Sequence, residues 1–313
     1  MSRTYKRSAP QAGASSIAGM ILRLAVSLLV FTLAHGAASG SRVGPFGSRV
    51  DRSDVGASVS RSGPSGATAS RVEEAGGSGQ ATTLRILAYN IRHGAGNDEV
   101  VDLERIARTI RELDPDLVAL QEVDNRTERT GGVNQAAELG RMVGMGSVFG
   151  PFMDYRGGQY GMAVLSDLPF DNPTNHLLPE GAEPRSSLAI HVQLPDGAGE
   201  LIFAGVHFYR TEAERMAQAR RLLDVLEPES VPVILAGDFN STPDSAVMAL
   251  LGETFVIPDK GEDRYTFPSD RPEREIDFVV FRPAHRFTVV ESRVIDEPVA
   301  SDHRPLLLVV EFR

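Results

Sequence analysis

Short apolar runs and segments of helical periodicity alternate through residues 84–312, and several successive apolar runs have no helix between them. The runs predict strands, and the periodic segments predict amphipathic helices. This mixture favours an α/β fold in which two mainly antiparallel sheets are covered by helices. The predicted strands are 84–90, 117–120, 161–166, 187–194, 201–207, 231–236, 276–281 and 305–312, and the predicted helices are 102–113, 134–143, 211–226 and 244–251.

The first 82 residues have a different composition. Residues 1–38 combine early basic side chains with an apolar run and then small residues, which is typical of a signal peptide. An uncleaved membrane anchor over residues 17–34 is the alternative, because a run reaching back that far is long enough to span a bilayer. Residues 39–82 are rich in Ser, Gly and Arg and predict a disordered linker. We therefore expect an exported protein, extracellular or in the cell envelope, with one folded domain over residues 83–313.

Composition limits the chemistry of that domain. The chain has no cysteine, which excludes disulfides and thiolate metal sites. Residues 83–313 carry 38 acidic against 23 basic side chains, and the chain has no tryptophan. A domain with this excess of acidic side chains favours binding of divalent cations and disfavours tight, sequence-independent binding of nucleic acid.

Polar side chains lie at the ends of the predicted strands. Asn90, Glu122 and His207 each follow an apolar run, as do Asp238 and Asn240 in the sequence GDFN. Asp302 and His303 directly precede the last run, and Asp277 lies at the start of another. A rigid scaffold fixes residues where strands meet loops, and functional residues gather there. The pattern predicts one site built from these strand ends.

Oxygen ligands in this set predict a Mg²⁺ or Mn²⁺ site. The carboxylates of Glu122 and Asp302 are hard donors of the kind that these cations prefer. Such a cation polarises a phosphoryl oxygen and stabilises the leaving oxygen. The set therefore points to hydrolysis of a phosphoester.

Acid–base groups for that reaction are present as well. Asp238 can accept a proton from the attacking water, with Asn240 holding water and phosphate. His303 and His207 can donate hydrogen bonds to the phosphate as negative charge develops. Asp277 can orient one of these histidines and favour its charged form.

Seven segments taken together resemble the successive motifs of the endonuclease/exonuclease/phosphatase superfamily, the group of deoxyribonuclease I-like, metal-dependent phosphohydrolases. They cover residues 83–313 in order and read LAYNIRHG, LVALQEVD, YGMAVLS, GVHFYR, LAGDFNSTP, EIDFVVF and SDHRPL. The resemblance implies a four-layer α/β/β/α sandwich. It also implies Glu122 as the principal metal ligand, with Asn90 beside metal and phosphate and Asp302 in the metal region.

The same resemblance implies roles for the other residues. Asp238 activates the nucleophilic water with help from Asn240, and His303, held by Asp277, contacts the scissile phosphate. His207 occupies the place of a histidine often treated as a general acid, where repair-type members carry tyrosine. Arg185 matches an arginine that supports the phosphate site.

We expect a metal-dependent phosphodiesterase that acts, as a monomer, on a lipid- or sugar-linked phosphodiester. An extracellular nuclease acting on DNA or RNA is the alternative, although no basic track or aromatic platform is evident. A catalytically silent binding module is the second alternative, and the complete residue set argues against it. The sequence leaves the substrate, the choice between mono- and diesters and the preferred metal open.

Overall fold

The computed structural model describes residues 81–179, 181–226 and 230–313. The predicted leader 1–38, the alternative anchor 17–34 and nearly all of the predicted linker 39–82 lie outside the described residues. Within the described residues, no helix has the length and apolar character needed to cross a membrane.

Eleven strands form two sheets in the described part of the chain. The strands are β1 Thr82–Asn90, β2 Leu117–Asn125, β3 Gly146–Tyr155, β4 Gly158–Ser166, β5 Phe170–Leu177, β6 Ser186–Gln193, β7 Glu200–His207, β8 Val233–Asp238, β9 Asp277–Arg282, β10 Phe287–Val294 and β11 Leu306–Phe312. The first sheet has the order β10-β11-β1-β2-β4-β3, and the second has the order β5-β6-β7-β8-β9.

Four α-helices pack on these sheets: α1 Leu103–Leu113, α2 Gln135–Val143, α3 Glu212–Leu226 and α4 Ala246–Gly252. Side-chain caps set where they begin. Asp102 accepts hydrogen bonds from the backbone N–H groups of Glu104 and Arg105, and Asn134 and Ser245 cap α2 and α4 in the same way. These caps satisfy otherwise unpaired N–H groups at the helix start. The predicted helices are therefore confirmed, each beginning one or two residues later than the periodicity suggested.

Three apolar clusters fill the spaces between four layers. The cluster between the sheets joins Ile86 of β1 to Phe203 of β7. A second packs α1 and α2 on the first sheet, and a third packs α3 and α4 on the second sheet. Burying one such large side chain contributes about 1.5–3 kcal/mol. The predicted α/β/β/α sandwich is confirmed.

Three strands were missed by the sequence analysis, namely β3, β5 and β10, and each lies at an edge of its sheet. Exposed and half-buried residues make up β5 and nearly all of β10, and β3 contains glycine and proline. An edge strand has one hydrogen-bonded neighbour and no need for apolar residues on both faces. Apolar runs therefore mark the interior strands and the buried edge strand β9, and leave these three edge strands unmarked.

Each sheet contains one parallel pair among antiparallel ones. The pairs are β1 with β2, joined through α1, and β7 with β8, joined through α3. Parallel strands carry their carboxyl ends to the same edge of a sheet. The fold therefore brings the ends of four strands together, and the candidate site lies there.

Candidate active site

The strand register places the predicted residues side by side. His207 at the end of β7 lies opposite Asp238 on β8, and Asp238 lies opposite Asp277 on β9. On the first sheet, Asn90 at the end of β1 lies opposite Gln121 of β2, directly before Glu122. The pairing of backbones alone thus assembles most of the site.

Glu122 projects from a β-bulge. The register of β2 against β4 shifts between Gln121 and Val123, and Glu122 has a left-handed backbone with φ of 58°. A bulge re-aims a side chain, and a non-glycine residue in this conformation is strained. The predicted strand ended before this residue, whereas β2 continues to Asn125. The bulge explains how a residue inside a strand lines the pocket.

Asn90 is buried and connects the two sheets. Its Nδ2 donates to Glu122 Oε1 at 3.2 Å and to Asp238 Oδ2 at 3.3 Å, while its Oδ1 accepts from the Arg92 N–H at 3.1 Å. Ser301 Oγ donates to the Asn90 carbonyl at 2.7 Å. In this orientation the amide positions two carboxylates, and it offers its oxygen to a cation only after rotation.

Asp238 is buried at the centre of the site. Its Oδ1 accepts from the backbone N–H of Asn240 at 2.8 Å, and its Oδ2 lies 3.4 Å from His207 Nε2 and 3.8 Å from His303 Nε2. Burial and the neighbouring charge of Asp277 raise the pKa of Asp238 to about 7. A carboxylate with a pKa near neutrality exchanges a proton readily at physiological pH.

His303 and Asp277 form a buried pair. His303 Nδ1 lies 2.9 Å from Asp277 Oδ2, a hydrogen-bond distance. Burial alone lowers the pKa of His303, but the carboxylates of Asp277 and Asp238 outweigh it and raise the pKa to about 10. The ring is therefore an imidazolium that donates to Asp277 and points Nε2 at the site.

His207 is buried and neutral. Burial, followed by the positive charges of Arg185 and His303, lowers its pKa well below the usual range. Its Nδ1 has no hydrogen-bond partner among the described residues. The two histidines beside Asp238 therefore differ in charge, a difference that residue type alone does not reveal.

Asp302 and Arg185 both line the pocket. The Asp302 carboxylate is half exposed, with Oδ2 3.9 Å from Arg92 Nε. Arg185 is buried, pairs with Glu183 and has an Nε without a partner. All nine predicted residues belong to this region, and their roles remain predictions.

The donor set fits a divalent cation. Glu122 faces the pocket with Asn90 as its hydrogen-bond donor and with no ion pair among the described residues. Burial raises the pKa of Glu122; the Asn90 hydrogen bond opposes this rise, and the charge of Asp302 adds to it. Glu122 and Asp302 repel each other, and Glu122 has no ion-pair partner among the described residues, so Mg²⁺ or Mn²⁺ would neutralise the pair.

A second group, formed by Asp238, Asp277 and His303, has ligand atoms within 4.8 Å of one another. Its chemistry differs from that of a metal site. His303 is protonated and donates Nδ1 to Asp277, so the ring has no free lone pair for a cation. We interpret this trio as an acid–base network.

The pocket has a volume of about 470 Å³. The loop 266–269 borders it through Phe267, whose ring centroid lies 4.8 Å from that of His303. Tyr160, Arg210 and Arg274 also line the pocket and were missed. Arg210 and Arg274 lie outside the strand ends that directed the prediction, and no local pattern distinguishes them from solvated arginines.

Comparison with known proteins agrees with this geometry. The model of the Endonuclease/Exonuclease/phosphatase family matches residues 87–303, which confirms the predicted family. Protein cwh43 of Schizosaccharomyces pombe is 30% identical over 154 residues, covering 48% of this chain and 15% of that protein. The chain spans well under two thirds of the length of the curated relatives it matches.

Solved structures share the fold. The endonuclease/exonuclease/phosphatase from Beutenbergia cavernae is 24% identical with a TM-score of 0.60, covering 74% of this chain and 72% of that chain. The mannosyl-6-phosphatase Bt3783 of Bacteroides thetaiotaomicron is 18% identical with a TM-score of 0.60, covering 73% and 100%. These likenesses confirm the four-layer architecture.

Proposed function

The chain belongs to the endonuclease/exonuclease/phosphatase family, whose members are divalent-metal-dependent phosphoric ester hydrolases. From this premise we propose that it is a phosphodiesterase acting on a lipid- or sugar-linked phosphodiester. The observation that carries the proposal is the placement of Asp238, a buried carboxylate with a pKa near 7, between one charged and one neutral histidine.

Asp238 is the general base of the proposed reaction. Its Oδ1 is held by the Asn240 N–H, and Oδ2, which the Asn90 amide orients from 3.3 Å, takes the proton from water in this proposal. The water oxygen forms a bond to phosphorus as the ester oxygen leaves on the opposite side. The proton on Asp238 passes to solvent, and the leaving oxygen takes a proton from solvent. The products are a phosphomonoester and an alcohol. General-base assistance of this kind contributes about 10²–10⁴-fold to the rate.

Three groups are placed to bind the phosphate. The His303 imidazolium directs Nε2 into the pocket, and Arg185 adds a fixed positive charge. Asn240 has its side-chain N–H₂ 2.9 Å from the Phe208 carbonyl, which fixes the amide beside Asp238. Positive charge and donors fixed in a buried site stabilise the negative charge of a transition state.

His207 serves as a neutral hydrogen-bond donor in this proposal. The resemblance implied a general acid, but a ring kept neutral by burial and by two positive neighbours has little acidity to offer. With Nε2 3.4 Å from Asp238 Oδ2, it positions the base and donates to a phosphate oxygen when substrate is present.

Glu122 and Asp302 would hold the divalent cation, with Asn90 beside them. When bound, the cation polarises a phosphoryl oxygen and lowers the charge that develops on the leaving oxygen. Mg²⁺ and Mn²⁺ are the ions proposed, since all the donors are oxygens.

The pocket supports a small substrate. Its volume of about 470 Å³ lies in the range of sites for small molecules. The acidic composition of residues 83–313 disfavours a long nucleic-acid backbone. We also propose that the protein is exported, on the strength of the leader-like residues 1–38.

A substrate panel tests the proposal. The full chain with Mg²⁺ or Mn²⁺ is offered bis-p-nitrophenyl phosphate, p-nitrophenyl phosphate, sphingomyelin and plasmid DNA, beside the variants Asp238→Ala and His207→Ala. We expect diester turnover that both variants lose. Preferred cleavage of DNA would replace the proposal by a nuclease, and turnover unchanged in both variants would place the chemistry elsewhere.

A further inference from the structure

Two arginines at the mouth of the pocket have no acidic partner. Arg210 follows β7 and Arg274 precedes β9, and both line the pocket together with Asp238. Both are exposed, and neither forms an ion pair within residues 81–179, 181–226 and 230–313. Acidic side chains outnumber basic ones by 38 to 23 in residues 83–313, yet neither arginine of this pocket pairs with one.

Both guanidinium groups lie one aromatic ring away from the proposed phosphate ligands. Arg274 Cζ is 5.8 Å from the centroid of the Phe267 ring, which packs on His303. Arg210 Cζ is 5.8 Å from the centroid of the Tyr209 ring, and Arg185 Cζ is 5.3 Å from the same centroid. The two arginines therefore lie just beyond the place of the scissile phosphate.

A third arginine supports this arrangement. Arg215 donates to the carbonyl of Arg210, and its buried Nε has no partner among the described residues. Burial lowers the pKa of Arg215, the charge of Glu212 opposes this decrease, and the charge of Arg274 adds to it, so the guanidinium groups of Arg215 and Arg274 repel each other. Repulsion between them is unfavourable until an anion arrives.

We propose that Arg210 and Arg274 bind a second anionic group of the substrate, a phosphate or a carboxylate. The rings of Tyr209 and Phe267 separate this group from the residues proposed to bind the scissile phosphate. Arg215 holds the Arg210 backbone and adds charge behind it. Guanidinium groups suit this task because they bind the oxygens of phosphate and carboxylate in pairs. The inference rests on the proposed function only in placing the scissile phosphate beside Asp238.

Calorimetry with three matched ligands tests it. Glucose 6-phosphate has one anionic group, 6-phosphogluconate adds a carboxylate, and glucose 1,6-bisphosphate adds a phosphate. Each is titrated into the full chain carrying Asp238→Asn, with Mg²⁺ present, so that turnover does not consume the ligand. The same background then receives Arg210→Gln with Arg274→Gln. The control variant carries Arg220→Gln with Arg221→Gln, two exposed arginines of α3 that give the same change in charge.

We expect a two-anion ligand to bind at least about tenfold more tightly than glucose 6-phosphate, the gain of about one charge-assisted contact. The advantage falls below about threefold in the Arg210/Arg274 variant and persists in the control. Tighter binding of 6-phosphogluconate would identify the second group as a carboxylate, and tighter binding of glucose 1,6-bisphosphate would identify it as a phosphate. An advantage that survives loss of Arg210 and Arg274, or equal or unmeasurable binding of all three ligands, would overturn the inference.

Failure of the proposed function has a different readout. If the proposed function is wrong, Asp238→Asn will still hydrolyse bis-p-nitrophenyl phosphate. The second anion site is tested separately, by comparing the affinities of the three ligands within Asp238→Asn protein. Thermal unfolding of each variant confirms that the ratios compare folded proteins.

Discussion

Asn90 Nδ2 lies 3.3 Å from Asp238 Oδ2, although the two residues are 148 positions apart and belong to different sheets. Each ends a strand of a parallel pair, β1 with β2 and β7 with β8. Each pair brings a carboxylate to this edge, Glu122 in one sheet and Asp238 in the other. The two halves of the fold thus meet through one amide, which donates to both carboxylates.

Replacing Asn90 by alanine tests this link. The variant leaves Glu122 Oε1 without a donor and removes one of two side-chain donors from Asp238 Oδ2, and an unsatisfied group of this kind costs about 1–3 kcal/mol. We expect Asn90→Ala to lower the free energy of unfolding by that amount and kcat by about tenfold, since Asp238 loses its position. Denaturant unfolding and steady-state kinetics measure the two effects. Unchanged stability would show that the amide does not hold the carboxylates.

The pairing of His303 with Asp277 predicts a pH-dependent stability. The pKa of His303 is about 10 in the folded protein, against 6.5 as its ordinary value. A raised pKa stabilises the fold fully below the unfolded pKa, and this contribution is lost as the pH rises through the folded pKa. In metal-free protein near pH 6, the free energy of unfolding of the parent should exceed that of Asp277→Asn by at least about 2 kcal/mol. The difference should narrow toward pH 10, and a constant difference across this range would contradict the pairing.

Sequence patterns predicted which residues come together because backbone pairing assembles them. Once β7, β8 and β9 are adjacent, His207, Asp238 and Asp277 are neighbours by register alone. The edge strands β3, β5 and β10 escaped prediction because most of their residues are exposed or half-buried, whereas the edge strand β9 is buried and its apolar run was predicted. Arg210 and Arg274 escaped too, because their positions depend on loop conformations. Charge states also depend on the fold, and the contrast between His207 and His303 follows from their neighbours.

Glu122 carries backbone strain that a substitution can reveal. Glycine adopts a φ of 58° without strain, whereas this conformation costs other residues about 1–2 kcal/mol. Glu122→Gly and Glu122→Ala both remove the carboxylate, so the comparison isolates the backbone. We expect the glycine variant to be more stable than the alanine variant by about 1 kcal/mol in denaturant unfolding. Equal stabilities would mean that the bulge relaxes without the side chain.

Gly237 permits the close approach of β7 to β8. A Cβ built on it would lie 2.0 Å from the Val206 carbonyl oxygen, and its φ is +147°. Gly237→Ala should destabilise the fold by more than about 3 kcal/mol, since backbone has to move. Gly252→Ala is the matched control, because its nearest atom would be 3.6 Å away. A similar loss in both variants would contradict this explanation.

Metal titration of phosphodiester turnover tests the central claim most directly. Bis-p-nitrophenyl phosphate is offered to the full chain after EDTA treatment, and Mg²⁺ or Mn²⁺ is then added to the parent and to Glu122→Gln. The account predicts no turnover without metal, recovery in the parent, and at least about a tenfold higher metal requirement in Glu122→Gln, since a charged ligand is lost. Turnover that persists in EDTA, or equal metal dependence of parent and variant, would contradict it.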